Sequence, residues 1–112
     1  MPRTENKTTP KVIGDMLYHD AGGIVVGSRE WLAWLDQEGH NRFYFESPIG
    51  TFTASKESRN HQMYWYAYRR TVRKRHGPIE TKLHKAYLGK SEDLTADRLI
   101  EIARQLADLV QQ

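Results

Sequence analysis

Residues 63 to 73, Met-Tyr-Trp-Tyr-Ala-Tyr-Arg-Arg-Thr-Val-Arg, decide the fold of this chain. Aromatic residues are frequent in this stretch and it contains neither glycine nor proline, which predicts one long β-strand. Side chains alternate across a strand, so the strand has two different faces. The first face carries a row of tyrosines followed by basic residues: Tyr64, Tyr66, Tyr68, Arg70 and Lys74. The second face carries Met63, Trp65, Ala67, Arg69 and Arg73.

Three shorter segments around this strand also have the composition of strands. They are Phe43 to Glu46, Thr51 to Glu57 and Thr81 to Leu88. Turn-forming or polar residues separate them: Ser47 to Gly50, the polar loop of residues 58 to 62, and the turn around Arg75 to Pro78. Connections this short favour antiparallel pairing between consecutive strands.

Two segments have the periodicity of helices. The C-terminal helix begins after Thr95, which we interpret as its N-cap. Its apolar stripe consists of Leu99, Ile102, Ala103, Leu106, Leu109 and Val110. A shorter helix extends from the N-cap Ser28 to about Gln37, and we interpret its two tryptophans, Trp31 and Trp34, as core residues.

The N-terminal part of the chain gives weaker signals. Residues 1–10 are polar and are predicted to form a disordered tail, which leaves residues 11–112 as a single domain. Val12 to Leu17 are predicted to form a short helix, and Ile24 to Val26 a short strand after a glycine turn.

These elements predict the fold class α+β. We expect an antiparallel sheet of three to four strands packed on the C-terminal helix, with a short N-terminal helix that contains the tryptophans. The small residues Ala54, Ala67 and Ala86 allow the C-terminal helix to approach the second face of the sheet closely. The tyrosine face is then open to solvent. The opposite register, which exposes Trp65 and Arg69 instead, remains an alternative.

Charge is distributed unevenly along the chain. Residues 52 to 90 carry 10 basic and 2 acidic side chains, a net charge of +8. Residues 1 to 51 have a net charge of −2, and residues 91 to 112 a net charge of −3. A basic segment between acidic ones produces a local positive field suited to a polyanionic partner.

Several classes of function are disfavoured by what the sequence lacks. There is no cysteine, which excludes disulfides and thiolate metal sites. The five histidines do not occur in the close pairs that place two ligands on one helix face, so we expect neither a metal nor a cofactor. No serine lies in a nucleophile elbow, so we expect no catalytic residues and no enzymatic activity. Without an apolar segment of membrane-spanning length or a signal peptide, we expect a cytoplasmic protein with no membrane partner.

The candidate nucleic-acid-binding residues combine rings and cations. Aromatic rings on a sheet face stack on bases, and lysine and arginine bind phosphates. The set comes from the long strand, the hairpin tip and the following strand: Tyr64, Tyr66, Arg69, Arg70, Arg73, Lys74, Arg75, Lys82, Lys85 and Tyr87.

Two parts of the chain resemble known DNA-binding domains. One part is similar to the third strand and helix start of plant ethylene-response-factor (Apetala-type) domains. It is the run Lys85-Ala-Tyr-Leu-Gly-Lys-Ser-Glu-Asp-Leu-Thr-Ala-Asp-Arg-Leu. The other part resembles a module near the N-terminus of some bacterial LuxR-type regulators, and it is the run Tyr64-Trp-Tyr-Ala-Tyr-Arg-Arg. Integrase arm-type domains share the same plan of three strands and a helix. The resemblance implies DNA binding through the sheet, with Lys85 and Tyr87 at contact positions. The segment Phe43 to Glu46 lacks the base-contacting arginines of the plant family.

The leading hypothesis is therefore a DNA-binding module, with double-stranded DNA as the expected partner, in a bacterial transcriptional or mobile-element accessory protein. One alternative is a protein-interaction module that docks a partner on the Trp31/Trp34 helix or on the tyrosine face. A second is a single-stranded nucleic-acid binder whose tyrosines stack on bases. A third is a half-buried tyrosine cluster with unrelated surface charges.

Overall fold

The structure, a computed structural model, describes residues 9–19, 22–74, 77 and 79–110. A single sheet of seven strands carries two helices on one of its faces. The strands are Lys11–Ile13 (β1), Met16–His19 (β2), Gly22–Val25 (β3), Arg42–Glu46 (β4), Thr51–Arg59 (β5), Gln62–Lys74 (β6) and Ile79–Gly89 (β7). The helices are Arg29–Asp36 (α1) and Ala96–Val110 (α2), and a 3₁₀ turn, Ser91–Asp93, links β7 to α2. Neither of these two helices is long and apolar enough to cross a membrane.

The sheet is larger than the sequence predicted. The strand order is β3-β2-β1-β4-β5-β6-β7, and every pair is antiparallel except β1 with β4. The α+β class is confirmed. The expected antiparallel sheet of three to four strands is present as β4 to β7, but it is only part of a mixed sheet of seven strands. The other three strands come from residues 11–25, where the sequence signals are weakest. Of these, β3 overlaps the short strand predicted at Ile24 to Val26, whereas β1 and β2 were not predicted.

The predicted helix over Val12 to Leu17 is wrong. These residues form the β1–β2 hairpin, which turns at Gly14 with a φ of 66°. Val12 and Leu17 are register partners and both are fully buried, so their apolar surface joins the core of the sheet. Parallel pairing of β1 with β4 outweighs the weak local preference for helix. Pro10, assigned to the disordered tail, accepts a hydrogen bond from the Tyr44 amide; residues 1–8 lie outside the described residues.

The connection between β5 and β6 is a tight turn and not the predicted polar loop of residues 58 to 62. Arg59 and Gln62 are paired in register, and only Asn60 and His61 lie between them, with φ values of 50° and 66°. Two residues in the left-handed region fit the right-handed twist of the flanking strands. The turn that was predicted around Arg75 to Pro78 falls mostly outside the described residues.

The tryptophans of α1 belong to the core, as the sequence indicated. Ser28 caps the helix by accepting a hydrogen bond from the Trp31 amide. Trp31 is fully buried, stacks on Trp34 and donates from Nε1 to the Leu94 carbonyl at 2.8 Å. Both rings also contact the edge of Phe43. Because the rings are buried, they do not form an exposed surface on which a partner docks.

Helix α2 covers the centre of the same face. Thr95 accepts from the Arg98 amide, which confirms the predicted N-cap. Four members of the predicted stripe are buried: Leu99, Ile102, Ala103 and Leu106. Leu109 is exposed, in contrast to the prediction. Arg98 joins helix and sheet by donating hydrogen bonds to the Leu88 and Tyr87 carbonyls.

Candidate nucleic-acid interface

The side of the sheet opposite α1 and α2, which we call the open face, is not covered by any element in the described part of the chain. On β6, Trp65 and Ala67 are fully buried beneath the helices, whereas Tyr66 is only half-buried. The predicted alternation is therefore confirmed and the opposite register is wrong. Over β4 to β7 the open face includes Arg42, Tyr44, Glu46, Thr51, Thr53, Ser55, Glu57, Arg59, Tyr64, Tyr66, Tyr68, Arg70, Leu83, Lys85 and Tyr87.

Three tyrosines form a cluster on this face. Tyr66 and Tyr87 are register partners on β6 and β7, and their rings meet edge to face with centroids 5.5 Å apart. The Tyr64 ring lies 6.2 Å from that of Tyr87. Contacts of this kind hold rings in fixed positions. Tyr87 is nevertheless 46% exposed, so part of its ring remains accessible to a ligand.

Lys85 is held in place by groups on the protein itself. Its Nζ lies 4.4 Å from the Tyr66 ring centroid and 5.4 Å from that of Tyr68. It also lies 3.5 Å from Oε1 of Glu57, whose Oε2 accepts a hydrogen bond from the Tyr68 hydroxyl. The hydrogen bond with Tyr68 and the attraction of Glu57 raise the pKa of Lys85, so its charge is maintained.

The same contacts shift the acid–base properties of the two partners. The hydrogen bond from Tyr68, followed by the charge of Lys85, lowers the pKa of Glu57 below its usual value. The hydrogen bond to Glu57 raises the pKa of the Tyr68 hydroxyl. At physiological pH, Glu57, Tyr68 and Lys85 therefore form a group of one carboxylate, one neutral phenol and one ammonium. Its positive member is partly neutralised by Glu57, so Lys85 is a weaker phosphate ligand than a free lysine.

A shallow depression of about 460 Å³ lies beside this group on the open face. It is lined by Arg42, Thr53, Ser55, Tyr68, Arg70 and Leu83. Arg42 and Arg70 are both exposed, and neither forms an ion pair with any residue that the structure describes. Guanidinium groups next to hydroxyl groups are suited to binding the oxygens of a phosphate.

Beyond this depression β6 and β7 continue as a two-stranded ribbon. Pairing with β5 ends at Thr53 and Tyr68, whereas β6 and β7 remain paired from Arg69 with His84 to Lys74 with Ile79. We call residues 69–74 and 79–84 the ribbon. The ribbon contains one acidic residue, Glu80, and five basic ones, so it contributes half of the net charge of +8 that residues 52 to 90 carry: Arg69, Arg70, Arg73, Lys74 and Lys82.

The structure brings together only part of the predicted set. Five of its members share the open face: Tyr64, Tyr66, Arg70, Lys85 and Tyr87. Alternation directs Arg69 and Lys82 to the other side of the sheet. The backbones of Arg73 and Lys74 lie in the ribbon, and Arg75 lies outside the described residues.

Arg69 in particular lies between the sheet and α2. It is half-buried, and its Nη1 atom is buried without a hydrogen-bond partner among the described residues. A Cβ on Gly50 would lie 3.1 Å from this Nη1 and 3.1 Å from the Ala103 carbonyl oxygen, which shows how closely the three segments approach. Arg69 therefore lies on the side of the sheet that alternation predicted for it, and it is not available on the open face as a nucleic-acid contact.

Arg42 and Arg59 were missed because the predicted strands stopped short of them. Strand β4 begins at Arg42, one residue before the predicted start, and β5 extends to Arg59. The Arg59 guanidinium carbon lies 5.5 Å from the Tyr66 ring centroid. The sequence contains a signal for Arg42, because the apolar Phe43 and Phe45 alternate with Arg42 and Tyr44, which is typical of a strand with one solvent-facing side.

Comparison with protein-family models, with curated proteins and with solved structures finds no match to this chain.

Proposed function

We propose that this protein binds duplex DNA, with the open face against the sugar-phosphate backbone and the ribbon in the major groove. The observation that carries the proposal is the depression beside the ribbon, where Arg42 and Arg70 are exposed and have no ion-pair partner among the described residues. Exposed arginines without a carboxylate are free to bind phosphate without breaking an existing contact.

The dimensions of the ribbon support this geometry. Two paired strands lie about 4.8 Å apart, and six residues extend about 20 Å along the strand direction. The major groove of B-form DNA is about 12 Å wide and about 8.5 Å deep, and it accepts a two-stranded ribbon with its side chains. When the ribbon enters the groove, the Arg42/Arg70 depression at its base lies near a groove wall.

The salt dependence of binding tests the proposal. Each phosphate contact that is lost reduces the slope of log affinity against log salt concentration by about 0.9 on duplex DNA. We expect the double variant Arg42→Ala/Arg70→Ala to bind a labelled random-sequence duplex more weakly and with a slope shallower by roughly 1.8.

The matched control removes the same charge from the other side of the molecule. Arg29 and Arg104 are exposed residues of α1 and α2, which lie on the covered face. The variant Arg29→Ala/Arg104→Ala should therefore retain the slope of the wild type. Absence of duplex binding by the wild type, or equal slopes for the two double variants, would contradict the proposal.

The tyrosine cluster favours a second candidate function, binding of single-stranded nucleic acid. Tyr87 is the most exposed ring of the cluster, and stacking of a base on such a ring contributes about 1–3 kcal/mol. In this case Tyr87→Ala would weaken binding to an unpaired strand by that amount and leave duplex affinity unchanged. Competition between the duplex and each of its separated strands distinguishes the two candidates.

A further inference from the structure

The two sides of the ribbon differ in chemistry. Three aliphatic residues lie on the open-face side beside Arg70 and Thr81, where Val72 is 65% exposed, Ile79 62% and Leu83 54%. The opposite side carries only polar and charged residues among those whose side chains are described: Arg69, Thr71, Glu80, Lys82 and His84. On that side Thr71 and His84 contact each other across the strands at 3.3 Å. The aliphatic side is unusual because it exposes apolar surface in the most basic segment of the chain.

From this contrast we propose that the aliphatic side of the ribbon binds the C5-methyl groups of thymines in the major groove, which makes duplex binding dependent on thymine. This inference rests on the proposed function. The thymine methyl is an apolar group at the base edges of the major groove, and aliphatic side chains are its usual partners. Arg70, the register partner of Leu83, lies on the same side and supplies a cation next to the apolar contact.

The size of the aliphatic surface argues against a protein partner. Three partly exposed aliphatic side chains present on the order of 300 Å², whereas a stable protein interface buries roughly 800 Å² on each partner. A second copy of the chain is disfavoured by charge as well. Face-to-face contact between two ribbons would bring together two segments that each contain five basic residues and one acidic residue. DNA offers apolar methyl groups within a strongly negative groove, which matches the exposed aliphatic side chains and the positive charge of the ribbon.

Replacement of thymine by uracil in the probe tests the inference directly. The two random-sequence duplex pools are prepared from the same templates and differ only in the methyl group. Burial of one methyl corresponds to about a fourfold change in affinity, so two contacts give roughly fifteenfold. We expect the wild type to prefer the thymine pool by about this factor, with the same salt slope on both pools because the phosphates are identical.

Two variants connect the preference to the ribbon. Val72→Thr/Ile79→Thr keeps residues compatible with an exposed strand and leaves the Arg42/Arg70 depression intact, so it should lose the preference for thymine with an unchanged salt slope. Leu32→Ser is the control. Leu32 is an exposed leucine of α1, the helix on the other side of the sheet from the open face, so its replacement should leave the preference for thymine intact.

Each outcome has a distinct meaning. If the wild type binds both pools equally, or if the ribbon variant keeps the preference, the inference is wrong while duplex binding stands. If the wild type binds neither pool, the proposed function fails as well. Sedimentation of the free protein completes the test: self-association that is present in the wild type and lost in the ribbon variant would assign the aliphatic side to a second copy and overturn the inference.

Discussion

Replacement of Trp65 and of its neighbour Tyr66 by alanine should have opposite effects on folding and on binding. Trp65 is fully buried, its ring centroid lies 5.3 Å from that of Phe43, and its Nε1 donates to Ser91 Oγ at 3.2 Å. A buried tryptophan removes roughly 150–250 Å² from water, which at about 25 cal/mol per Å² stabilises the fold by about 4–6 kcal/mol. Alanine retains a small part of this area, so we expect Trp65→Ala to lower the free energy of unfolding by about 3–5 kcal/mol.

Tyr66→Ala removes a ring on the other face of the same strand. Its contacts are the edge of Tyr87 and the cations of Lys85 and Arg59. Exposed contacts of these types contribute about 0.5–1 kcal/mol each, and they are not additive, so we expect a loss of about 1–2 kcal/mol. Urea denaturation followed by circular dichroism measures both values. A loss for Tyr66→Ala that equals or exceeds the loss for Trp65→Ala would refute the assignment of the two faces.

Two further predictions concern charged groups that the fold uses. Lys56 donates hydrogen bonds to carbonyl groups at the end of α1, so Lys56→Met should lower the free energy of unfolding by about 1–2 kcal/mol. As a control, Lys82→Met replaces an exposed lysine and should change this free energy by less than about 0.5 kcal/mol. Equal effects of the two variants would show that Lys56 does not stabilise the end of α1. Tyr68 and Lys85 lower the pKa of Glu57 in the folded protein, so the ionised carboxylate stabilises the fold. This stabilisation is fully present above the ordinary pKa of 4.5 and is lost as the pH falls through the lower pKa of the folded state. The difference in thermal midpoint between the wild type and Glu57→Gln should therefore narrow on acidification, and a constant difference would show that the ionised carboxylate does not stabilise the fold.

The sequence predicted the central part of the fold because the signals there are local. Alternation along β6 separates Trp65 and Ala67 from the tyrosines, and the stripe of α2 has a clear helical period. The strands from residues 11–25 have three or four residues each, too few for a period of two to be distinguished from a helical one. Their place in the sheet depends on the parallel pairing of β1 with β4, a contact between segments about 30 residues apart that no local pattern indicates.

The sequence predicted correctly which face of the sheet is open, but it predicted only part of the set of residues on that face. Residue type alone brought Arg69 and Lys82 into the set, although alternation places them on the other side. The contact of Lys85 with Glu57 depends on β5, β6 and β7 lying side by side, and the two residues are 28 positions apart. Charge counts along the sequence therefore identified the basic segment, whereas the availability of each cation for a ligand required the register of three strands.

Under the proposed function, the distribution of charge over the fold also predicts how the protein would approach DNA. The outer surface of α2 carries exposed acidic residues, Asp97, Glu101 and Asp108, and the C-terminal segment from residue 91 has a net charge of −3. The ribbon and most of the open face belong to the segment with a net charge of +8, and Arg42 adds a further cation from β4. A polyanion is therefore repelled by the helical side and attracted by the sheet, so the field orients the molecule before contact. Because the helices protect the buried face of the sheet, residues on the open face can change with little effect on the core, and the ribbon can specialise for a partner while Trp65 and α2 maintain the fold.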